Sequence, residues 1–206
     1  MEARLREIIV GFEKPLWEGA RLKAIQHLVH FLFQKIKSNE IVKLNFICTH
    51  NSRRSQFAQI WGETLADYFD LPIECYSGGV EVTEFNILAV QALEQDGFLI
   101  SKNDFSNPLY SLRTSPESKP YFAFSKCYDD PSNPQTGFAA VMTCDHADEN
   151  CPFILGADIR IPLHYEDPKL FDGTVEEAEK YSERSHQIGA ELFFCFKEVK
   201  AQLGIV

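Results

Sequence analysis

The 206-residue sequence holds no apolar run approaching the roughly 18 residues that a membrane-spanning helix needs. Its first ten residues, MEARLREIIV, carry acidic side chains and lack the basic, apolar and small-residue zones of a secretory leader. Excess positive charge is missing too: 20 Lys and Arg face 30 Asp and Glu, a net charge of −10. That balance argues against nucleic acid or an anionic membrane as partner, since either requires a basic face. It also means that any anion site has to be built locally, against the field of the whole molecule. Internal repeats and low-complexity tracts are absent. The expectation is a cytoplasmic globular protein with one good core.

Cysteine, by contrast, is present six times: Cys48, Cys75, Cys127, Cys144, Cys151 and Cys195. In a chain read as cytoplasmic these do not suggest a structural disulfide framework; metal binding or thiol chemistry is the first expectation. Cys195, in LFFCFKEV, falls on an apolar helical face, and Cys75 falls inside a strand pattern, so both read as structural. Cys127 fits neither description clearly.

Hydrophobic periodicity divides the chain at about residue 41. Upstream, Ile25, Leu28, Val29, Leu32 and Ile36 recur at helical spacing, with Phe31 and Phe33 widening the stripe; Pro15 separates this helix from a shorter one before it. Downstream, IVKLNFIC, IECYS and FAAVMT read as buried strands, IRIPL (159–163) as a fourth. Between and after them, residues 55–68, 84–96 and 175–203 read as helices, and residues 101–136 as the most loop-like stretch. Alternating strands and helices predict an α/β domain over 41–206: a three-layer αβα sandwich around a parallel sheet of about four strands. Residues 1–40 precede it as a helical extension, more readily packed on the core than forming a dimer contact.

The stretch with chemistry in it is Cys48-Thr49-His50-Asn51-Ser52-Arg53-Arg54-Ser55, between a predicted strand and a predicted helix. Backbone N–H groups of such a turn can ring a tetrahedral oxyanion, and the following helix adds the positive end of its dipole. Arg54 can hold two oxygens in its guanidinium fork. The same field favours thiolate, which makes Cys48 a nucleophile. A buried, inert cysteine at a strand end is the plainer alternative.

This stretch resembles the phosphate-binding loop of low-molecular-weight protein tyrosine phosphatases and of the arsenate reductases built on the same phosphotyrosine-phosphatase-I-like fold. The resemblance implies Cys48 as nucleophile and Arg54 as oxyanion clamp. Thr49, His50, Asn51, Ser52, Arg53 and Ser55 complete the loop, with Asn51 and Ser55 supporting the thiolate. Gln56 stands where the phosphatases usually have proline, and RSQFA is closer to the reductases. A second segment, VMTCDHADENCPFILGADIRIPLHYEDP, resembles the thioredoxin-coupled reductases in the spacing of Cys144 and Cys151 and in the distance on to Asp167-Pro168.

Taken together, the resemblance covers about residues 42–203 and implies a thiol relay. Cys48 attacks arsenate with Asp167 as general acid; Cys144 then attacks Cys48, releasing arsenite; Cys151 attacks Cys144; and thioredoxin or a similar dithiol reduces the resulting bond. No tightly bound cofactor and no metal is implied. Three alternatives stay open: a phosphatase for phosphotyrosine or a small phosphoester with Cys144 and Cys151 as a redox switch, a silent oxyanion-binding protein, and a metal site on Cys144, His146 and Cys151. Asp130-Pro131 is a rival to Asp167-Pro168, but YDDPSNP reads as a plain turn. His50, Arg53 and Gln59 depart from the family pattern, standing where a glycine, a cysteine and an acidic residue are common.

Overall fold

The computed structural model describes residues 1–150 and 153–204. In chain order the elements are α1 (Ala3–Val10), α2 (Gly19–Lys37), β1 (Val42–Cys48), α3 (Arg54–Phe69), β2 (Ile73–Gly79), α4 (Ile87–Gln95) and β3 (Leu99–Lys102). They continue with β4 (Tyr110–Arg113), β5 (Tyr121–Ala123), β6 (Phe138–Met142), α5 (Asp145–Asn150), β7 (Ala157–Pro162), a 3-10 turn (Pro168–Phe171) and α6 (Glu177–Gln202).

Four strands form a parallel sheet in the order β2-β1-β6-β7. The two central strands are buried almost throughout, as expected of a sheet covered on both faces. Alternation along β6 sorts its side chains: Ala139 and Val141 join the large core with α2, α3 and α6, while Phe138, Ala140 and Met142 join a smaller cluster. That second cluster, which also holds Cys48, Cys144, Ala147 and Ile154, is covered by α5 and loop residues rather than by a long helix. From β1 the chain crosses to β2 on one side, and from β6 to β7 on the other. The C-terminal ends of β1 and β6 therefore flank the point where the strand order reverses, the place where open α/β sheets bind ligands.

Residues 101–136 are not merely loop. Together with Leu99 and Ile100 they carry a second, three-stranded antiparallel sheet in the order β3-β4-β5. Strands of three or four residues hide their alternation among the Ser and Pro around them, although Tyr110, Leu112, Tyr121 and Ala123 all point inward. The N-terminal helices share the main core: Leu5, Ile9, Ile25, Leu28 and Leu32 are buried within it.

Two consecutive glycines at the end of β2 let other backbone come close. A Cβ on Gly78 would lie 2.2 Å from Tyr128 Cα, and one on Gly79 would lie 2.7 Å from the Asn51 nitrogen. Gly78→Ala is expected to destabilise the protein by about 3 kcal/mol, because backbone rather than a flexible side chain has to move. Urea unfolding with an unchanged slope and a lowered midpoint is the measurement; a midpoint equal to the parent's would contradict the close packing.

Candidate active site

Strand β1 ends on Cys48, and α3 begins at Arg54, so the loop between them takes its direction from two buried elements. Asn51 adopts a left-handed backbone (φ 47°), which asparagine tolerates better than most residues. Its side chain, fully buried, works in both directions: Nδ2 donates to Ser55 Oγ at 2.8 Å, and Oδ1 accepts from the Lys126 N–H at 2.9 Å. Ser55 Oγ lies 3.0 Å from Cys48 Sγ. A chain of polar contacts thus runs from the loop's turn residue to the thiol, whose residue is only 3% exposed.

The second sheet braces this loop from outside. Gln56 Nε2 donates to the Asn51 carbonyl at 2.9 Å and the Phe124 carbonyl at 3.0 Å, and Gln59 Nε2 donates to the Phe122 carbonyl at 3.0 Å. Gln59 Oε1 also accepts from Ser77 Oγ at 2.6 Å. Beyond β5, Ser125 Oγ donates to the His50 carbonyl at 3.0 Å. Gln56, where the phosphatases usually have proline, and Gln59, where many reductases carry an acidic residue, are therefore fasteners for β5 and the chain that follows it.

Cys48, His50, Ser52, Arg53, Arg54 and Asp167 line a small cup. Arg54 Nη2 donates to Asp167 Oδ2 at 2.7 Å and its Nη1 to the Tyr165 carbonyl at 2.9 Å. Its Nε is buried with no partner among the described residues, which leaves one donor of the fork uncommitted. Asp167 also accepts from the Lys169 N–H, capping the 3-10 turn that follows. Arg53 does not wave in solvent: Nε donates to Tyr181 Oη at 2.9 Å, and that hydroxyl donates to Asp172 at 2.9 Å. Burial, seconded by the bond to Asp172, raises the Tyr181 phenol to about 12, so it serves Arg53 as a neutral acceptor. His50 points to the rim, 3.4 Å from Glu81. Two guanidinium groups thus create positive charge at one spot of an acidic protein. Asp130, the rival acid, lies outside this cup and accepts from Ser132 in its own turn.

Cys144 follows β6 and is 2% exposed, in the same buried cluster as Cys48. Its sulfur is 3.4 Å from Thr49 Oγ1 and accepts the Ala147 N–H at 3.4 Å; Thr49 Oγ1 is also 3.3 Å from His146 Nδ1. Helix α5, which follows Cys144, is pinned from β7 and the residues after it: Arg160 pairs with Asp148, and His164 with Asp145 and Asp148. Cys151 lies outside the described residues. Among those described, no three His, Cys, Asp or Glu side chains converge as metal ligands. Cys75 and Cys195 are fully buried and burial pushes both thiols up, which suits a packing role. Cys127 is half-buried and pairs through its backbone with Gly79.

Sequence reasoning gathers the loop, Cys144 and Asp167 but misses Tyr181, Asp172 and His164. Tyr181 meets Arg53 from 128 residues away and His164 meets Arg21 from 143 away, Asp172 enters only through Tyr181, and no local pattern marks any of them. Among the described residues no helix is long and apolar enough to cross a membrane.

No family model matches the chain. It is 32% identical over 133 residues to the arsenate reductase of Halalkalibacterium halodurans, covering 64% of this chain and 78% of that protein. With an arsenate reductase 2 of Staphylococcus epidermidis it shares 33% identity over 110 residues, 53% of this chain and 65% of the relative. Its fold matches the crystal structure of a low-molecular-weight phosphotyrosine phosphatase from Vibrio cholerae O395 with a TM-score of 0.52 at 15% identity, over 80% of this chain and 99% of the other.

Proposed function

The chain belongs to the arsenate reductase family, and from that premise we propose that it reduces arsenate to arsenite through a Cys48–Cys144–Cys151 disulfide relay. The observation that carries the relay over simple ester hydrolysis is the burial of Cys48 and Cys144 in one cluster at the ends of adjacent central strands.

Arsenate enters the cup as a phosphate-like tetrahedral anion. The loop's backbone N–H groups and the guanidinium of Arg54, whose Nε is uncommitted, hold its oxygens. The Cys48 thiolate attacks arsenic, and Asp167 as general acid gives the departing oxygen a proton so that it leaves as water. Cys144, having lost its proton, then attacks Cys48 Sγ. The new S–S bond forms as the S–As bond breaks, and that electron pair stays on arsenic, which departs as arsenite. Cys151 attacks Cys144, releases the Cys48 thiol and leaves a Cys144–Cys151 disulfide. Thioredoxin or a similar dithiol returns that bond to two thiols. Because α5 follows Cys144 directly and is held by Arg160 and His164, exchange with Cys151 requires this segment to rearrange.

A phosphatase acting on phosphotyrosine or a small phosphoester uses the same loop, and the fold match to a phosphatase favours keeping that reading in the test. Reduced Cys151→Ser protein is treated with arsenate and its disulfides are mapped by mass spectrometry. Accumulation of a Cys48–Cys144 bond is the expected result. No disulfide, with brisk hydrolysis of p-nitrophenyl phosphate, would instead make the protein a phosphatase.

A further inference from the structure

The N-terminal helices lie outside the stretch that carries the family resemblance, yet one of their side chains reaches the segment that ends in Asp167. Arg21 on α2 uses its whole guanidinium. Nε donates to Glu191 Oε1 at 3.1 Å, Nη2 to Glu191 Oε2, and Nη1 to the carbonyl of His164. Its central carbon lies 4.5 Å from the centre of the Tyr165 ring. Glu191, on α6, is only 2% exposed, so Arg21 is anchored on a fixed point of the core.

Residues 163–167 connect β7 to the 3-10 turn without regular structure of their own. Two N–H groups within this connection bond to the end of β6 and the residue after it: Leu163 donates to the Met142 carbonyl at 2.9 Å and Tyr165 to the Thr143 carbonyl at 3.1 Å. Its carbonyls are taken by arginines: His164 by Arg21, and Tyr165 by Arg54 from the cup. Tyr165 is thus held between a guanidinium over its ring and another on its carbonyl, two residues before Asp167. We propose that Arg21 is a positioning residue for Asp167, so that the N-terminal helices form part of the catalytic framework. This rests on the reading of Asp167 as general acid given above.

The physical basis is geometric. An acid that is off by about 1 Å loses much of its effect, and such misplacement can cost up to about a hundredfold. Arg21 has a second task, neutralising buried Glu191, and removing an arginine from such a pair destabilises a protein on its own account. The test therefore has to separate positioning from stability. A double-mutant cycle does so, because a residue acting through Asp167 has nothing to act on once the acid is gone.

Single-turnover loss of the Cys48 thiol on mixing reduced protein with arsenate is measured by quenched alkylation and mass spectrometry. Arg21→Met is expected to slow it about tenfold, and to add nothing further in an Asp167→Asn background. Asparagine keeps the cap on the 3-10 turn, so that background folds. Arg21→Lys is expected to recover thermal stability through its charge while remaining slow, since an ammonium cannot serve carboxylate, carbonyl and ring together. Should Arg21→Met fail to fold, Arg21→Met/Glu191→Met removes the stranded carboxylate and is held to the same expectations. The inference is overturned if the folded variant reacts at the parent rate, or if Arg21→Met slows the Asp167→Asn protein by the factor it slows the parent. A parent that consumes no Cys48 thiol with arsenate would overturn the proposed function, and the inference with it. A parent that reacts while Asp167→Asn matches its rate would instead overturn the acid assignment, and again the inference.

Discussion

Cys48→Ser is expected to abolish arsenate-dependent oxidation of Cys144 altogether. Oxygen cannot take the place of sulfur in a disulfide, so the relay has no second step whatever happens in the first. Hydrolysis of an aryl phosphate, if the parent shows it, is expected to fall by about 10⁴-fold or more, because a serine at this site has no base to ionise it. Ser55 Oγ, 3.0 Å from the sulfur and itself bonded by Asn51, is a partner that a serine hydroxyl at position 48 can keep. The exchange is nearly isosteric at a site 3% exposed, and circular dichroism and thermal melting should show an unchanged fold. Disulfide mapping after arsenate treatment is the deciding measurement. A Cys144 disulfide formed at the parent rate in Cys48→Ser would remove Cys48 from the mechanism.

Arg54→Lys should be the next most damaging change, lowering kcat/KM for arsenate by about 10²- to 10³-fold. The side chain is committed in two directions, Nη2 to Asp167 and Nη1 to the Tyr165 carbonyl, while its buried Nε has no partner among the described residues; on the proposed function the guanidinium also holds the bound anion. A lysine offers a compact point charge and cannot span these directions. Positive charge alone is thus preserved by the substitution while planar, directed donation is lost, so the measured drop isolates the latter. Arg53→Lys is expected to cost much less, because Arg53 stands 3.9 Å from Asp167 and spends its Nε on Tyr181. Steady-state kinetics of both variants side by side would check the ranking, and equal losses would contradict it.

The loop from Cys48 to Arg54 was legible in the sequence as a strand end, a turn and a helix start. A thiol at the end of an apolar strand, a polar turn and an arginine six residues on are local features, and local spacing is what a sequence displays directly. The parallel four-stranded sheet followed from alternating periodicities for the same reason. The three-stranded antiparallel sheet did not, because β4 and β5 are four and three residues long and exist only through pairing with one another. Gln56 read as a mark of the reductases and Gln59 as a departure from them; their role as fasteners appears only once Phe122 and Phe124 lie beside them.

The sequence by itself determined the setting of Cys48 at a strand end and of Arg54 at a helix start, since strand, turn and helix start within a dozen residues are dictated by short-range sterics and hydrogen bonding. Tertiary structure decided what surrounds them. It brought Cys144 into the cluster of Cys48, set Asp167 against Arg54, gave Arg53 to Tyr181, and ran α2 across to His164 through Arg21. Those contacts join positions roughly 100 to 140 residues apart, and only the packing of helices and loops on the β2-β1-β6-β7 sheet brings them together.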